Sequence, residues 1–193
     1  AKEKGLPMLT RAELLGQIMR NYDTPVAISG THGKTTTTSM VSHILLAGDC
    51  DPTISVGGIL PAIGGNIRVG NSETFVTEAC EYTNSFLSFF PKISIILNMD
   101  ADHLDFFKDI DDIRHSFRRF AELLPADGTL IINADTPKYE DIIRDLPCNV
   151  ITYGLEHDAD YQAADITYDK YGHASFSVLR NGVKVGSYYL KVP

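Results

Sequence analysis

The sequence predicts an α/β fold whose sheet is mostly parallel and ends, at the C-terminal side, in a small antiparallel sheet. Three observations carry that reading. Short, nearly continuous apolar runs such as Pro25–Ser29 and Ile93–Leu97 have the composition of strands buried on both faces. Segments with helical spacing lie between such runs, and alternating strands and helices require right-handed crossovers in a parallel sheet. Beyond Gly154 the pattern changes to alternating polarity, with Asn181-Gly182 between the last two runs, a type I′ hairpin signal.

In order along the chain, Thr10-Arg11-Ala12-Glu13 is a capping box, the Thr10 hydroxyl serving the Glu13 amide and the Glu13 carboxylate reaching back. It opens a helix with Leu14, Leu15, Ile18 and Met19 on one face, closed by Asn21 and Asp23. The strand Pro25–Ser29 follows, then a glycine-containing turn, Gly30 to Thr35. A helix with Met40, Val41, Ile44 and Leu45 inward stops at Gly48. Residues 53–70 carry five glycines (Gly57, Gly58, Gly64, Gly65, Gly70), predicting loops around short strands. Strands are expected at Glu73–Thr77 and Ile93–Leu97. Asp109 caps a helix that buries Ile110, Ile113, Phe117, Phe120 and Leu124. Strand Thr129–Ile132, helix Pro137–Leu146 and strand Asn149–Tyr153 continue the alternation. Strands Asp165–Tyr168, Ala174–Leu179 and Lys184–Leu190 form the antiparallel part. No internal repeat or low-complexity linker is visible.

Composition narrows the function. The 193 residues, 44% hydrophobic and 22% charged, suit one large globular domain, or one domain with a fragment of another. A net charge of −8 argues against general binding to nucleic acid or to anionic membranes, both of which need a basic field. It does not exclude a local phosphate site built from backbone amides and one lysine. Cys50, Cys80 and Cys148 are odd in number, far apart and without a C-x-x-C pair, which fits a reducing compartment. No apolar run approaches membrane-spanning length and the first residues lack a signal-peptide core, so no membrane insertion and a cytoplasmic location are expected.

Three segments could carry chemistry. Gly30-Thr31-His32-Gly33-Lys34-Thr35 lies between a buried strand and a helix, where glycines let amides converge on phosphate oxygens, a lysine bridges them and a hydroxyl meets Mg²⁺. The generic phosphate-loop (P-loop) pattern wants a glycine at position 28, where Ile28 stands. Glu78 follows the strand Glu73–Thr77, at the edge where open α/β sheets place ligands. Taken alone, it better suits a solvated strand end, and Glu81, three residues on, is more ambiguous still. His103, in Asn98-Met-Asp-Ala-Asp102-His103-Leu-Asp105, follows a third strand. Its imidazole could ligate a metal, with a neighbouring carboxylate fixing the tautomer, or lie at the surface beside a helix cap.

Together, Ser29–Thr38, Thr77–Tyr82 and Asn98–Asp105 resemble the ATP-binding central domain of the Mur ligases, and the resemblance runs from about Leu9 to the end of the chain. This family has the shortened G-x-x-G-K-T. The resemblance implies ATP and Mg²⁺ as cofactors. Gly30, Thr31, His32, Gly33, Lys34, Thr35 and Thr36 would wrap the phosphates, with Lys34 on the β/γ oxygens. Thr35, Glu78 and His103 would bind metal, and Lys34, Glu78 and His103 would form the catalytic set. The branch it suggests joins L-alanine to UDP-N-acetylmuramate in peptidoglycan synthesis, through an acyl phosphate. Sibling branches carry a carbamylated lysine about fifteen positions after the histidine, where this chain has Arg118. The resemblance also implies that residues 1–22 are a linker helix left from a nucleotide-sugar domain and that 23–193 are the central domain, cut short. The helix that contacts adenine and the amino-acid domain would then lie beyond Pro193. Competing readings are a murein tripeptide ligase, a folylpolyglutamate synthase, or a non-catalytic nucleotide module. No N-K-x-D guanine motif follows the loop, and no G-x-G-x-x-G follows the first strand.

Overall fold

The computed structural model describes residues 4–6 and 8–191. Its elements are α1 (Arg11–Met19), β1 (Thr24–Ser29), α2 (Lys34–Ala47), β2 (Thr53–Leu60), β3 (Gly65–Arg68), β4 (Thr74–Glu78), β5 (Ile93–Ile96), α3 (Ile110–Ala121), β6 (Thr129–Asn133), α4 (Tyr139–Ile143), β7 (Asn149–Gly154), β8 (Tyr161–Tyr168), β9 (Ala174–Arg180) and β10 (Val183–Tyr189). The strands form one sheet in the order β10-β9-β8-β7-β6-β5-β1-β4-β2-β3. From β2 to β7 the neighbours run parallel, apart from the β2–β3 edge pair. The antiparallel strands β8, β9 and β10 extend this same sheet.

β1 shows why an uninterrupted apolar run was needed. Its side chains alternate between faces, and both faces are covered. Ala27 joins a large cluster with Phe86, Phe117, Phe120 and Ile132. Val26 and Ile28 join Val76 beneath Val41 and Leu45 of α2. Phe86 stacks on Phe120 at 4.6 Å between centroids and meets Phe117 edge-on at 5.5 Å. Burying each such ring stabilises the fold by about 1.5–3 kcal/mol.

Helices α1 and α2 differ from the expected inner faces. In α1 the capping box forms as expected, yet Leu14 and Ile18 are exposed. The helix turns Gly16 and Met19 inward, with Ala12 and Leu15 beside them. Gly16 decides this, because a Cβ there would lie 2.0 Å from the Ser88 carbonyl oxygen. Helix and chain can meet this closely only at glycine. In α2 the buried line is Thr38 and Ser42, one turn apart, and Ile44 is 70% exposed. Small side chains let this helix lie low on β1 and β4.

Other departures are local. Residues 53–60 form one eight-residue strand, longer than the glycine content suggested, because Thr53–Val56 are buried beside β4. α4 is shorter than Pro137–Leu146, since Lys138 enters with φ +62° and no side chain caps the helix. The α3 cap on Asp109 forms, as does the predicted hairpin turn, with φ +48° at Asn181 and +77° at Gly182. β8 begins at Tyr161, ahead of the expected Asp165, which has φ +54° at an irregularity in the β8–β9 ladder.

β7 and β8 pair in parallel at two positions only, Tyr153 with Tyr161 and Gly154 with Gln162. Residues 155–160 are too few for a crossover. β8 therefore starts where β7 stops. Asp135 anchors the link, its carboxylate accepting from the amides of Leu155, Glu156 and His157. Burial pushes the Asp135 carboxyl up, but these amides and the His157 ring outweigh it and hold it down at about 2.

Candidate nucleotide site

The site lies at the carboxyl ends of β1, β4 and β5, three adjacent parallel strands. As the chain leaves β1, Gly30 has φ +145°, and a Cβ there would come within 2.9 Å of the Leu97 Cβ. Only glycine fits between the two strand ends. The next two residues are clasped by the segment after β5. Thr31 donates its amide to the Asn98 carbonyl at 3.1 Å. The Asn98 side chain accepts from the His32 amide at 2.8 Å and donates to the His32 carbonyl at 3.0 Å. The Thr31 hydroxyl accepts from the Asp100 amide at 2.9 Å.

This clasp aims the next residues at solvent. Gly33, with φ +82°, caps α2 without a side-chain bond. Among the described residues, the amides of Gly33, Lys34, Thr35 and Thr36 have no acceptor. Four convergent N–H groups at the positive end of a helix form an anion site.

Carboxylates close it on both sides. Glu78, ending β4, accepts from the Thr35 hydroxyl at 3.1 Å and from the Gly57 amide at 2.5 Å. Lys34 Nζ donates to the carbonyls of Gly30 at 2.6 Å and Thr31 at 3.1 Å, and it lies 3.0 and 3.3 Å from the two oxygens of Glu81. Glu81 is 2% exposed. Its Oε1 is 3.8 Å from His103 Nε2. His103 has φ +53°, donates its backbone amide to the Asp102 carboxylate at 2.7 Å, and packs against the Tyr82 ring at 4.6 Å. The Asp105 carboxylate, 2.7 Å from the Tyr82 hydroxyl, pushes that phenol's pKa up.

A family model described as the Mur ligase middle domain matches residues 28–190. The chain belongs to this family. UDP-N-acetylmuramate–L-alanine ligase of Lachnospira eligens is 64% identical over 194 residues, covering 100% of this chain and 42% of that protein. The protein of the same name from Agathobacter rectalis is 60% identical over 193 residues, again 100% and 42%. The chain therefore spans about two-fifths of the length of these curated relatives. The crystal structure of UDP-N-acetylmuramate–alanine ligase from Thermotoga maritima superposes with a TM-score of 0.83 at 26% identity, over 100% of this chain and 43% of that one. A MurF ligase from Thermotoga maritima, solved with ADP, shares the fold at 17% identity, with a TM-score of 0.72 over 96% of this chain and 45% of that one.

In this Mur ligase middle domain, the residues singled out from sequence fall into two groups. Thr35 and Glu78 touch, while His103 reaches Lys34 through Glu81. The seven-residue phosphate loop narrows to the amides of Gly33 to Thr36, because those of Thr31 and His32 are spent on Asn98. No group of three or more His, Cys, Asp or Glu with metal-holding geometry occurs among the described residues. A Mg²⁺ ion does not need one, since it takes one or two carboxylates, keeps several waters and leans on phosphate oxygens. The Thr35 hydroxyl and Glu78 carboxylate fit that demand. Arg118 lies away from the site, pinning α4 by donating to the carbonyls of Ile142 and Arg144. Glu81 and Asn98 are the side chains at this site that sequence reasoning left without a role. Their signal is position alone, directly past the ends of β4 and β5. No helix of the described residues is long and apolar enough to cross a membrane.

Proposed function

We propose that this chain binds the phosphates of Mg·ATP and serves as the nucleotide-binding middle domain of a ligase that joins L-alanine to UDP-N-acetylmuramate. The observation that carries the reading is the set of four unpartnered amides at the start of α2, bracketed by Lys34 and by the Thr35–Glu78 pair. The amides take the phosphate oxygens, and Lys34 adds the mobile positive charge. Mg²⁺, held by Thr35 and Glu78, would neutralise phosphate charge when bound. A cavity of about 620 Å³ opens beside Glu78, lined in part by Arg11, Ser55, Gly57, Cys80 and Tyr82. It offers an acid substrate room beside Glu78.

In that reaction a carboxylate oxygen of the sugar nucleotide attacks the γ-phosphorus while the bond to the ADP oxygen breaks. The alanine amine then attacks the acyl carbon, phosphate leaves with the bonding electrons, and the amine loses its proton. The chain's own part is alignment and charge, the usual sources of rate in phosphoryl transfer. Alanine is favoured over other amino acids by the names of the relatives at 64% and 60% identity. The test is calorimetry of the chain against ATP, ADP, GTP and NAD with Mg²⁺. ATP and ADP should bind through their phosphates, GTP should bind comparably because these residues do not read the base, NAD should not bind, and Lys34→Ala, assayed below its melting temperature, should lose most of the ATP affinity. Equal binding of ATP by wild type and Lys34→Ala would refute the placement.

A further inference from the structure

We propose that Glu81 is a positioning residue of this site, a buried pivot that fixes the Lys34 ammonium and steadies His103 beside it. The inference rests on the nucleotide reading above. Glu81 presents both carboxylate oxygens to Lys34 Nζ and one of them to His103 Nε2. It thus joins the loop after β1 to the segment after β5, while itself lying past the end of β4.

The backbone around Glu81 is fixed on both sides. Ala79 donates its amide to the Ile28 carbonyl at 2.8 Å, and its own carbonyl accepts from the Ser29 hydroxyl at 2.7 Å. Downstream, Asn84 donates its amide to the Glu81 carbonyl at 2.9 Å and Phe86 to the Cys80 carbonyl at 3.0 Å. Between them Thr83 and Asn84 both have positive φ, +56° and +57°. A β-branched residue in that region costs energy and persists only where its surroundings over-determine it. Here the Asn84 side chain is bonded to Ser116, and Phe86 is locked in the aromatic core. The strained turn returns the chain over Glu81 and leaves it 2% exposed.

A lysine ammonium has three donors, and in this structure they are all directed to Gly30 O, Thr31 O and Glu81. A phosphate arriving at the free amides needs at least one of them. Releasing Glu81 would leave a buried carboxylate with no hydrogen-bond donor, His103 Nε2 lying 3.8 Å away, which is expensive. Releasing a loop carbonyl costs far less. Lys34 therefore turns about Glu81, handing a carbonyl-directed donor to the phosphate without leaving the carboxylate. Glu81 need not touch nucleotide to do this.

A pivot affects the transition state more than the ground state, because the lysine charge survives its loss while the lysine position does not. The test compares wild type with Glu81→Gln and Glu81→Asp. ADP affinity and melting temperature are measured on the chain, and kcat and KM for ATP on the full-length ligase carrying these residues. Glu81→Gln is expected to keep ADP affinity and KM nearly unchanged while kcat falls about 10²-fold, the scale of a 1 Å misplacement. Glu81→Asp, which retains the charge but withdraws it by one methylene, is expected to recover part of kcat. If Glu81→Gln does not fold, Glu81→Asp decides, with normal ADP affinity and a lowered kcat as the supporting result. Wild-type kcat in the folded variants overturns the proposal. So does a loss of kcat matched by equal losses in ADP affinity and melting temperature with no rescue by Asp, which marks a structural role. A wild-type chain that binds neither ADP nor ATP would instead sink the nucleotide reading, independently of Glu81.

Discussion

Removing Lys34 should destabilise the chain even when no nucleotide is present. From sequence alone Lys34 is a phosphate-bridging lysine, and its loss is expected to leave the fold intact. The structure pairs it at 3.0 Å with a carboxylate that is 2% exposed, and the lysine side chain itself is only 17% exposed. Breaking a buried ion pair by deleting one partner costs about 3–5 kcal/mol, since the survivor is left charged and desolvated. The water still reaching Lys34 places this pair near the lower end, at about 3 kcal/mol. For a chain of this length each kcal/mol lowers the melting temperature by about 2–4 °C, so Lys34→Ala should melt roughly 6–12 °C below wild type. Replacing both partners, as in Lys34→Met with Glu81→Leu, should restore most of that loss, because an apolar pair of similar volume avoids the desolvation penalty. Thermal and urea unfolding of nucleotide-free protein measure both effects. A Lys34→Ala chain that melts with wild type would refute the argument, as would a double variant as unstable as the sum of its singles.

Three further outcomes are expected. Asp135 titrates at about 2 in the folded chain against an ordinary 3.8, so its contribution to stability is complete above about pH 4 and is lost as the pH falls towards 2. Asp135→Asn should therefore lose less stability than wild type between about pH 5 and pH 2, and parallel melting curves would contradict the assignment. Phe86→Ala, which empties a fully buried position between Phe117 and Phe120, should cost about 3–5 kcal/mol by urea unfolding, and a cost below 1 kcal/mol would deny that ring its place in the core. Gly30→Ala should abolish ATP binding in calorimetry, because its Cβ would push the loop off Leu97, and unchanged affinity would show that the loop tolerates displacement.

Much of this architecture is legible in the residues because it is local. The capping box at Thr10 and Glu13, the Asp109 cap and the Asn181-Gly182 turn depend on neighbours within a few positions, and all three form. The β1 run reads correctly because burial on both faces leaves Pro25–Ile28 apolar throughout. Leu14, Ile18 and Ile44 are exposed against expectation for the opposite reason. Which side of a helix faces inward depends on how close its partner lies, and Gly16 against Ser88, or Thr38 and Ser42 against the sheet, sets that distance. The site divides in the same way. Lys34, Thr35 and Glu78 announce themselves by chemistry at strand ends. The burial of Glu81 arises from the convergence of three strand ends beneath a turn with two left-handed residues, which no spacing along the chain encodes.

The paired bonds between the Asn98 side chain and the His32 backbone imitate one rung of a β-ladder beyond the last true rung of β1 and β5. An amide side chain here does the work of a peptide group, so the two crests of the site form a single mechanical unit. Native-state hydrogen exchange would register this as one opening event, with the Thr31, His32 and Asp100 amides released together. The Lys34, Thr35 and Thr36 amides, which lack acceptors, would exchange freely. A lone substitution at Asn98 would split that event in two, separating the Gly30–Thr36 loop from the segment that carries His103.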